Sequence, residues 1–376
     1  MKKVRVFYLR WTVLAVLFCF VLFASISSEI GEWYAISLYP WISKFLSAIS
    51  SWVGFSLDEW GVVLAVLLLV ACPFYLRMRK KKGWLLVFGA EVEILLWVYV
   101  WFYWGWGMNY YRASFFQRAE VKPAVYNDER FHEFLQWYTE GLNTAFQNCQ
   151  QEGWMESPDL YRPMLLVDEG DEKVSFTRQK VHDEIKSMYM RIPDGYGLCR
   201  PEPYQLPKRS SFNGLYSNVG VLGFMGPFFA ESHVNLELSV VEYPFTYAHE
   251  LSHLLGVSSE AEANLWAFTV CSQSQHPLIR LSGYMGLLSY VRSNALYLLS
   301  AADFETWRSH LSPDITAAFY RIHAYWELRY SSTLGEMQSA LYTFYLKRNK
   351  ISSGQKNYAQ VIGMLLSIPD FQISIK

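Results

Sequence analysis

The sequence predicts a group of N-terminal transmembrane helices followed by a mainly helical α+β domain with a small sheet. Three observations predict this architecture. The 376 residues are 52% hydrophobic but only 18% charged, whereas a water-soluble domain usually has about a quarter charged residues. The long apolar segments all end before residue 107. The remaining chain combines amphipathic helical patterns with one alternating segment that is typical of a strand.

The chain is long enough for one large domain or two ordinary ones. The composition change predicts a membrane anchor over residues 1–108 and a water-soluble domain over residues 109–376. The formal net charge is −1, so the chain lacks the broad positive field that proteins use to bind phosphate backbones. We therefore expect no nucleic-acid partner.

Three apolar segments, at about residues 7–26, 60–76 and 84–106, can each cross about 30 Å of hydrocarbon as a helix. A cleaved signal peptide is the alternative for the first segment, but no A-x-A-like site follows it. Basic residues precede the first segment and separate the second from the third, and such residues favour the cytoplasmic side. We therefore expect a multi-pass protein of the cell membrane, with a cytoplasmic N-terminus and an extracytoplasmic domain after Trp106. The basic residues are Lys2, Lys3, Arg5, Arg77, Arg79, Lys80, Lys81 and Lys82.

Between the first two apolar segments, apolar residues recur at helical spacing from Leu38 to Trp52. This pattern predicts an amphipathic helix. Its apolar face either lies on the outer membrane surface or packs against the domain that follows. The lipid bilayer is thus an expected partner of the first 108 residues.

The water-soluble part has few clear local patterns. Residues Asp128–Gln150 read as an amphipathic helix, and Pro193–Pro207 read as a loop. Apolar and polar residues alternate from His233 to Leu238, which predicts a half-buried strand. Most of the chain after Tyr243 reads as helical.

The segment Tyr243–Gly256 contains the pattern H-E-x-x-H, formed by His249, Glu250 and His253. A proline suits its first turn and a glycine suits its end, so the segment predicts a single helix. Residues four apart share one helix face, so both imidazoles can reach one metal ion while Glu250 flanks it. Zn²⁺ is the expected cofactor, because a catalytic zinc site takes three protein ligands and leaves a position for water. The alternative is two surface histidines on an ordinary helix.

Two glutamates compete to be the third metal ligand. Ser259 and Glu262 have the spacing of an S-x-x-E capping box, in which Glu262 folds back onto the start of the next helix. That role leaves Glu260 for the metal, with Asn264 one turn later on the same face to support it. We favour Glu260 as the ligand and expect Glu262 and Asn264 to lie just outside the metal ligands.

These residues resemble the gluzincin clan of zinc peptidases, in which a glutamate on a second helix follows H-E-x-x-H and an Asp or Asn four residues later braces the site. The E-x-E-A-N-x-x-A arrangement, Glu260–Ala267, is similar to that of membrane and regulatory gluzincins. The resemblance implies a zincin-like metallopeptidase domain with His249, His253 and Glu260 as ligands. One departure is that only six residues separate His253 from Glu260, which requires a sharp turn at Gly256.

Most of the chain after the second apolar segment also resembles an uncharacterised bacterial family of multi-span membrane proteins, domain of unknown function 3810. Four segments carry this resemblance. They are Trp106–Arg112, Gly223–Glu231, His249–Gly256 and Asn357–Leu366.

The residue types predict hydrolysis of peptide bonds in a peptide or protein substrate. Zinc lowers the pKa of its bound water toward 7, and Glu250 acts as the general base that takes the proton and later gives it to the leaving amine. The donor for the transition-state oxyanion stays open among Tyr290, His310 and His323.

Two segments before the zinc helix are expected near the substrate. The predicted strand His233–Leu238 has two interpretations. It is either an edge strand that holds an extended peptide by backbone pairing or an internal strand of the domain. The glycines of Gly220–Pro227 permit close backbone approach to the same cleft.

Three other functions compete with a membrane-anchored zinc metallopeptidase. A membrane-bound sensor or regulator would signal through the spans, but the chain has only short cytoplasmic loops. A structural zinc module has no need of Glu250 beside the metal. Intramembrane proteolysis requires H-E-x-x-H within an apolar run of span length, and the segment around His249 is not such a run.

Overall fold

The computed structural model describes residues 2–125, 128–154, 161, 163–164, 176–333, 335–336 and 360–375. This part of the chain is mainly helical and contains one two-stranded sheet. It divides into two compact units. The span unit comprises residues 1–113 and 225–231, and the HExxH unit comprises residues 114–224 and 232–376.

The span unit contains three helices that are long and apolar enough to cross a membrane, which confirms the three predicted segments and indicates membrane association. Helix α4 begins before the predicted segment, because Ser56 Oγ accepts a hydrogen bond from the backbone of Glu59 and caps the helix. A π-helical turn, Tyr75–Arg79, extends it. The helices are α1 (Lys2–Ala24), α4 (Leu57–Phe74) and α5 (Trp84–Gly105), and their candidate spans are Arg5–Ala24, Leu57–Arg79 and Trp84–Gly105.

Helices α1 and α5 run side by side in the same direction. Near their N-terminal ends, Arg10 forms an ion pair with Glu93. Toward their C-terminal ends, Trp104 Nε1 donates a hydrogen bond to the carbonyl of Leu17. The ends of α1 and α5 that lead into the following segments therefore lie together.

The predicted amphipathic helix between the first two spans is also present. Helix α2 (Ser28–Trp33), a π-helical turn (Tyr34–Leu38) and helix α3 (Tyr39–Ser51) follow one another. The bounds of α3 agree to within one residue with the predicted range Leu38–Trp52. A proline in the first turn of α3 suits a helix start, where the missing N–H costs no hydrogen bond.

The sheet is a hairpin of strands β1 (Gly223–Gly226) and β2 (Glu231–Val234). The predicted strand His233–Leu238 is wrong beyond Val234. The side chain of Asn235 causes the strand to end there, because its Nδ2 donates to the carbonyl of Val221 and its Oδ1 accepts from the backbone of residue 237. Such an Asx turn replaces strand pairing with local hydrogen bonds.

Two buried carboxylates of the span unit link the hairpin tip to the start of α4. Glu231 accepts hydrogen bonds from Ser56 Oγ and from the backbone N–H groups of residues 57 and 58. Asp58 accepts hydrogen bonds from the backbone N–H groups of Phe228 and Phe229, at 2.8 and 3.1 Å. The tip, residues 225–231, is thereby held within the span unit.

The HExxH unit is built around helix α11, whose residues are all buried. Helices α10 and α12 pack against α11, and α7 packs against α12. Helix α7 confirms the predicted helix Asp128–Gln150 and extends it by one residue. The helices are α6 (Phe115–Arg118), α7 (Asp128–Gln151), α8 (Arg178–Met190), α9 (Asn213–Asn218), α10 (Tyr243–Leu254), α11 (Glu260–Ser272), α12 (Pro277–Leu298), α13 (Ala301–Ser309), α14 (Pro313–Glu327) and α15 (Gln360–Ser367).

Candidate metal centre

The turn between α10 and α11 brings the two halves of the candidate site together. Gly256 has a φ of +97°, in the left-handed region that favours glycine. The backbone N–H of Val257 donates to the carbonyl of Ser252 at 3.1 Å, which is the hydrogen bond of a Schellman helix ending. The chain therefore reverses within residues 255–259, and α11 begins at Glu260 beside α10.

Three side chains converge between these helices. His249 Nε2 lies 3.1 Å from Glu260 Oε2 and 3.1 Å from His253 Nε2. His253 Nε2 lies 3.4 Å from Glu260 Oε2. Among the described residues, this is the one group of three or more His, Cys, Asp or Glu side chains that can hold a metal ion. The structure thus places the predicted residues His249, His253 and Glu260 together.

Hydrogen bonds at the far sides of the two imidazoles orient the rings. His253 Nδ1 lies 2.7 Å from the carbonyl oxygen of Val257, which can only accept, so this nitrogen carries the proton. His249 Nδ1 lies 3.0 Å from Asn264 Oδ1, an amide oxygen that also accepts. In the neutral rings, both Nε2 atoms therefore direct lone pairs toward the carboxylate of Glu260, and this arrangement requires a positive charge at its centre.

The spacing of these atoms fits Zn²⁺. A tetrahedral zinc ion with ligand distances of about 2.0–2.1 Å separates its ligand atoms from one another by about 3.3 Å. The three separations here are 3.1, 3.1 and 3.4 Å. Metal-bound histidines usually donate their second N–H to a carbonyl or carboxylate, as both rings do here. The residues present therefore fit a zinc site.

The pKa values of Glu260 and His253 also indicate that this cluster favours a positive charge. Burial opposes ionisation of Glu260, but the charge of His253 and hydrogen bonds from both imidazoles hold its pKa well below the usual range. Burial disfavours the imidazolium form of His253, but the charge of Glu260 raises the pKa of His253 to about 9. Both pKa shifts favour a positive charge beside the Glu260 carboxylate.

Glu250 lies beside this cluster, one position after His249 on α10. Its carboxyl is buried, and among the described residues none contributes a hydrogen bond to Oε2. Burial raises the pKa of Glu250 to about 7, although the charges of His249 and His253 lower it. A buried carboxyl oxygen without a hydrogen-bond partner is energetically costly and is typical of functional sites.

Gly223, the first residue of β1, lies directly against the Glu250 side chain. A Cβ at this position would lie 2.7 Å from Glu250 Cγ and 2.7 Å from Oε1. Only a glycine permits this approach. The segment Gly220–Pro227 therefore does approach the H-E-x-x-H helix, through Gly223.

Glu262 lies two residues after Glu260, about half a helical turn, and therefore faces away from the cluster. Its carboxylate accepts two 2.6 Å hydrogen bonds from Arg118, whose side chain is equally buried, and one from Trp266 Nε1. Ser259 Oγ caps α11 by accepting from the backbone of Glu262. This ion pair fixes the first turn of α11 and so the position of Glu260. The sequence did not reveal Arg118, because 144 residues separate it from Glu262.

The three predicted oxyanion donors lie in different places. The Tyr290 hydroxyl interacts with the side chain of Asn264, and burial raises its pKa to about 12. His310 lines a surface cavity of about 350 Å³ with residues of α7. The His323 ring packs at a tilt against that of Phe319, with ring centroids 4.2 Å apart. Of the three, Tyr290 is the one that contacts a residue of the candidate site.

Comparison with known proteins gives a family but no described relative. The family model described as "Protein of unknown function (DUF3810)" matches residues 34–366. This range includes the H-E-x-x-H segment and the family segment Asn357–Leu366, of which residues 357–359 lie outside the described part. No curated protein and no solved structure matches the chain. The chain belongs to the DUF3810 family of proteins of unknown function.

Proposed function

We propose that this protein is a membrane-anchored, zinc-dependent metallopeptidase of the gluzincin type. The convergence of His249, His253 and Glu260 carries the proposal. Three metal-binding atoms lie within 3.4 Å of one another, and both rings donate their remaining N–H to other groups. Glu250 distinguishes the site from a structural zinc module, since a structural site needs no carboxylate base beside the metal.

When bound, zinc would supply Lewis-acid chemistry, polarising the peptide carbonyl and making water more acidic. His249, His253 and Glu260 would hold it, and Asn264 would orient His249. Glu250 would take the proton of the attacking water as the carbon–oxygen bond forms. It would deliver that proton to the leaving nitrogen as the carbon–nitrogen bond breaks.

We propose β1, rather than the predicted segment His233–Leu238, as the strand that pairs with an extended peptide substrate. Gly223 at the start of β1 lies against Glu250. A peptide aligned with this strand by backbone hydrogen bonds would bring its carbonyl groups to the general base. Phe224 stacks on His233 of β2 with ring centroids 4.1 Å apart, which holds this end of the strand.

The distribution of basic residues supports an orientation of the spans. Basic side chains at residues 77–82 follow α4 and precede α5, and such loops favour the cytoplasm. We propose that the N-terminus is also cytoplasmic and that the chain leaves α5 on the outer side of the cell membrane. The HExxH unit would then act on extracytoplasmic peptides or protein segments.

A peptide library tests the proposed activity. The detergent-purified full-length chain is expected to cleave library peptides, to lose this activity with a zinc chelator and to regain it when Zn²⁺ is added back. A zinc-loaded chain that cleaves none of the peptides would contradict the peptidase and favour the alternative, a membrane-bound sensor or structural zinc module.

The substitution Gly223→Ala is expected to lower peptide cleavage without removing zinc. The added methyl group would lie 2.7 Å from two atoms of the Glu250 side chain, so either Glu250 or β1 must move. A displacement of about 1 Å near reacting groups costs about 100-fold in rate. Rate and zinc content would be measured together. Gly214→Ala is the matched control, because a Cβ there contacts nothing within 4 Å, and equal rates for both variants would contradict this role of Gly223.

A further inference from the structure

Helix α3 presents an apolar face outward and buries a polar face, the reverse of a helix on the surface of a water-soluble protein. The outward residues recur at intervals of three or four, and the buried serines lie between them. Ser47 Oγ and Ser50 Oγ donate to carbonyls of α3 itself. The exposed fractions are 71% for Trp41, 65% for Phe45, 45% for Ile49 and 90% for Trp52, against 3% each for Ser43, Ser47 and Ser50.

The helical segment that contains α3 crosses the end of α5 instead of running along it. Tyr34 donates a hydrogen bond to the carbonyl of Trp104 at 2.8 Å. Leu46 Cδ1 lies 3.9 Å from the position that a Cβ would take at Gly105. From residue 34 to residue 46 a helix rises by about 18 Å, yet the two contacts on α5 are only one residue apart.

The chain is still at the same end of α5 when α4 begins. The carboxylate of Asp58 accepts a hydrogen bond from the backbone of Phe228, and the carbonyl of Phe228 accepts one from Trp101 Nε1. If residues 34–56 crossed the bilayer as a helix, α4 would instead begin near the other end of α5, at Trp84. The segment between the first two spans therefore stays on one side.

We propose that α3 lies flat in the interfacial layer of the bilayer, in the leaflet at the C-terminal end of α5. Its aromatic face would insert between the headgroups and the acyl chains, a depth of about 5–10 Å. Exposed apolar side chains of α4, such as Leu64 and Leu68, continue the same kind of surface within the span unit. Tryptophan favours this interfacial depth, and α3 with the residue after it presents Trp41 and Trp52.

The position of α3 in the bilayer interface is independent of the proposed peptidase activity and of zinc. It gives three crossings, by α1, α4 and α5. The N-terminal end of α1 and the basic loop at residues 77–82 would then lie on the same side of the membrane. If α3 were a fourth crossing helix, the two would lie on opposite sides.

Spin labels on α3 test the proposal in the full-length chain. Nitroxides would be attached to Trp41→Cys, Phe45→Cys and Ile49→Cys, in phosphatidylcholine vesicles containing phosphatidylglycerol. Cys19, Cys72 and Cys199 would be replaced by serine. The buried Cys149 and Cys271 would stay, which preserves the core. Depth follows from the relative effects of oxygen and a water-soluble nickel chelate on spin relaxation.

All three labels are expected at the same depth, about 5–10 Å below the phosphates. Labels at Leu64 and Leu68 of α4 calibrate the measurement, because their depths must differ by about 6 Å in a crossing helix. A difference of about 12 Å between the labels at residues 41 and 49 would show a crossing helix and overturn the proposal. The proposal would also be overturned if the α3 labels were as accessible to the nickel chelate as a label at the exposed residue Glu140.

Discussion

Replacing Glu250 by Gln is expected to reduce peptide cleavage by about 10²–10⁴-fold, the range attributed to a general acid–base group. The amide keeps the size of the side chain but cannot take a proton from water. Zinc content should stay at the wild-type value, because the three candidate ligand atoms belong to His249, His253 and Glu260. Cleavage rate and bound zinc would be measured on the same preparation.

Glu140→Gln is the control for this substitution. It makes the same chemical change on the exposed side of α7, where the carboxylate accepts a hydrogen bond from Gln136, and it should leave the rate unchanged. A Glu250→Gln chain that cleaves peptides at the wild-type rate would show that Glu250 is not the base. Loss of zinc from this variant would instead indicate that Glu250 supports metal binding.

The substitutions Glu260→Gln and Glu262→Gln are expected to affect different properties, zinc binding and stability respectively, although the residues are only two apart. Glu260→Gln removes the carboxylate between the two imidazoles, so the chain should lose its zinc. Glu262→Gln should retain zinc but lower the free energy of unfolding by about 3–5 kcal/mol, because Arg118 would keep a buried charge without its carboxylate partner.

Zinc content and thermal unfolding in detergent would be measured for both variants. Glu133→Gln is the control, since Glu133 forms an exposed ion pair with Arg130 and should affect neither quantity. If Glu262→Gln lost zinc while Glu260→Gln retained it, the assignment of the third ligand would be reversed.

Most of the candidate site was predictable because its residues lie close together in the sequence. His249 and His253 are one helical turn apart, and the capping pattern at Ser259 left Glu260 for the cluster. Asn264 follows Glu260 by one further turn. The structure brings these residues together as the spacing predicts, and the turn at Gly256 accounts for the short separation from His253 to Glu260.

The features that the sequence did not reveal depend on contacts between distant residues or on local competition. The alternation from His233 to Leu238 predicted a strand, but the side-chain hydrogen bonds of Asn235 end it at Val234. Arg118 pairs with Glu262 only through the fold. The glycine-rich segment was expected near the site, but the contact of Gly223 with Glu250 is visible only in the structure.

The apolar helices were predictable for a different reason. Each span requires about 20 apolar residues in sequence, so composition alone locates it. The amphipathic helix α3 was also visible, but its pattern left open which surface its apolar face meets. The contacts of the segment with Trp104 and Gly105 place it across the end of α5.

The metal centre is tested by the zinc content of the detergent-purified wild-type chain, prepared with sufficient zinc. We expect about one zinc ion per chain and none in His253→Ala, which removes one of the three converging atoms. Wild-type protein without bound zinc under these conditions would contradict the metal centre and, with it, the proposed peptidase.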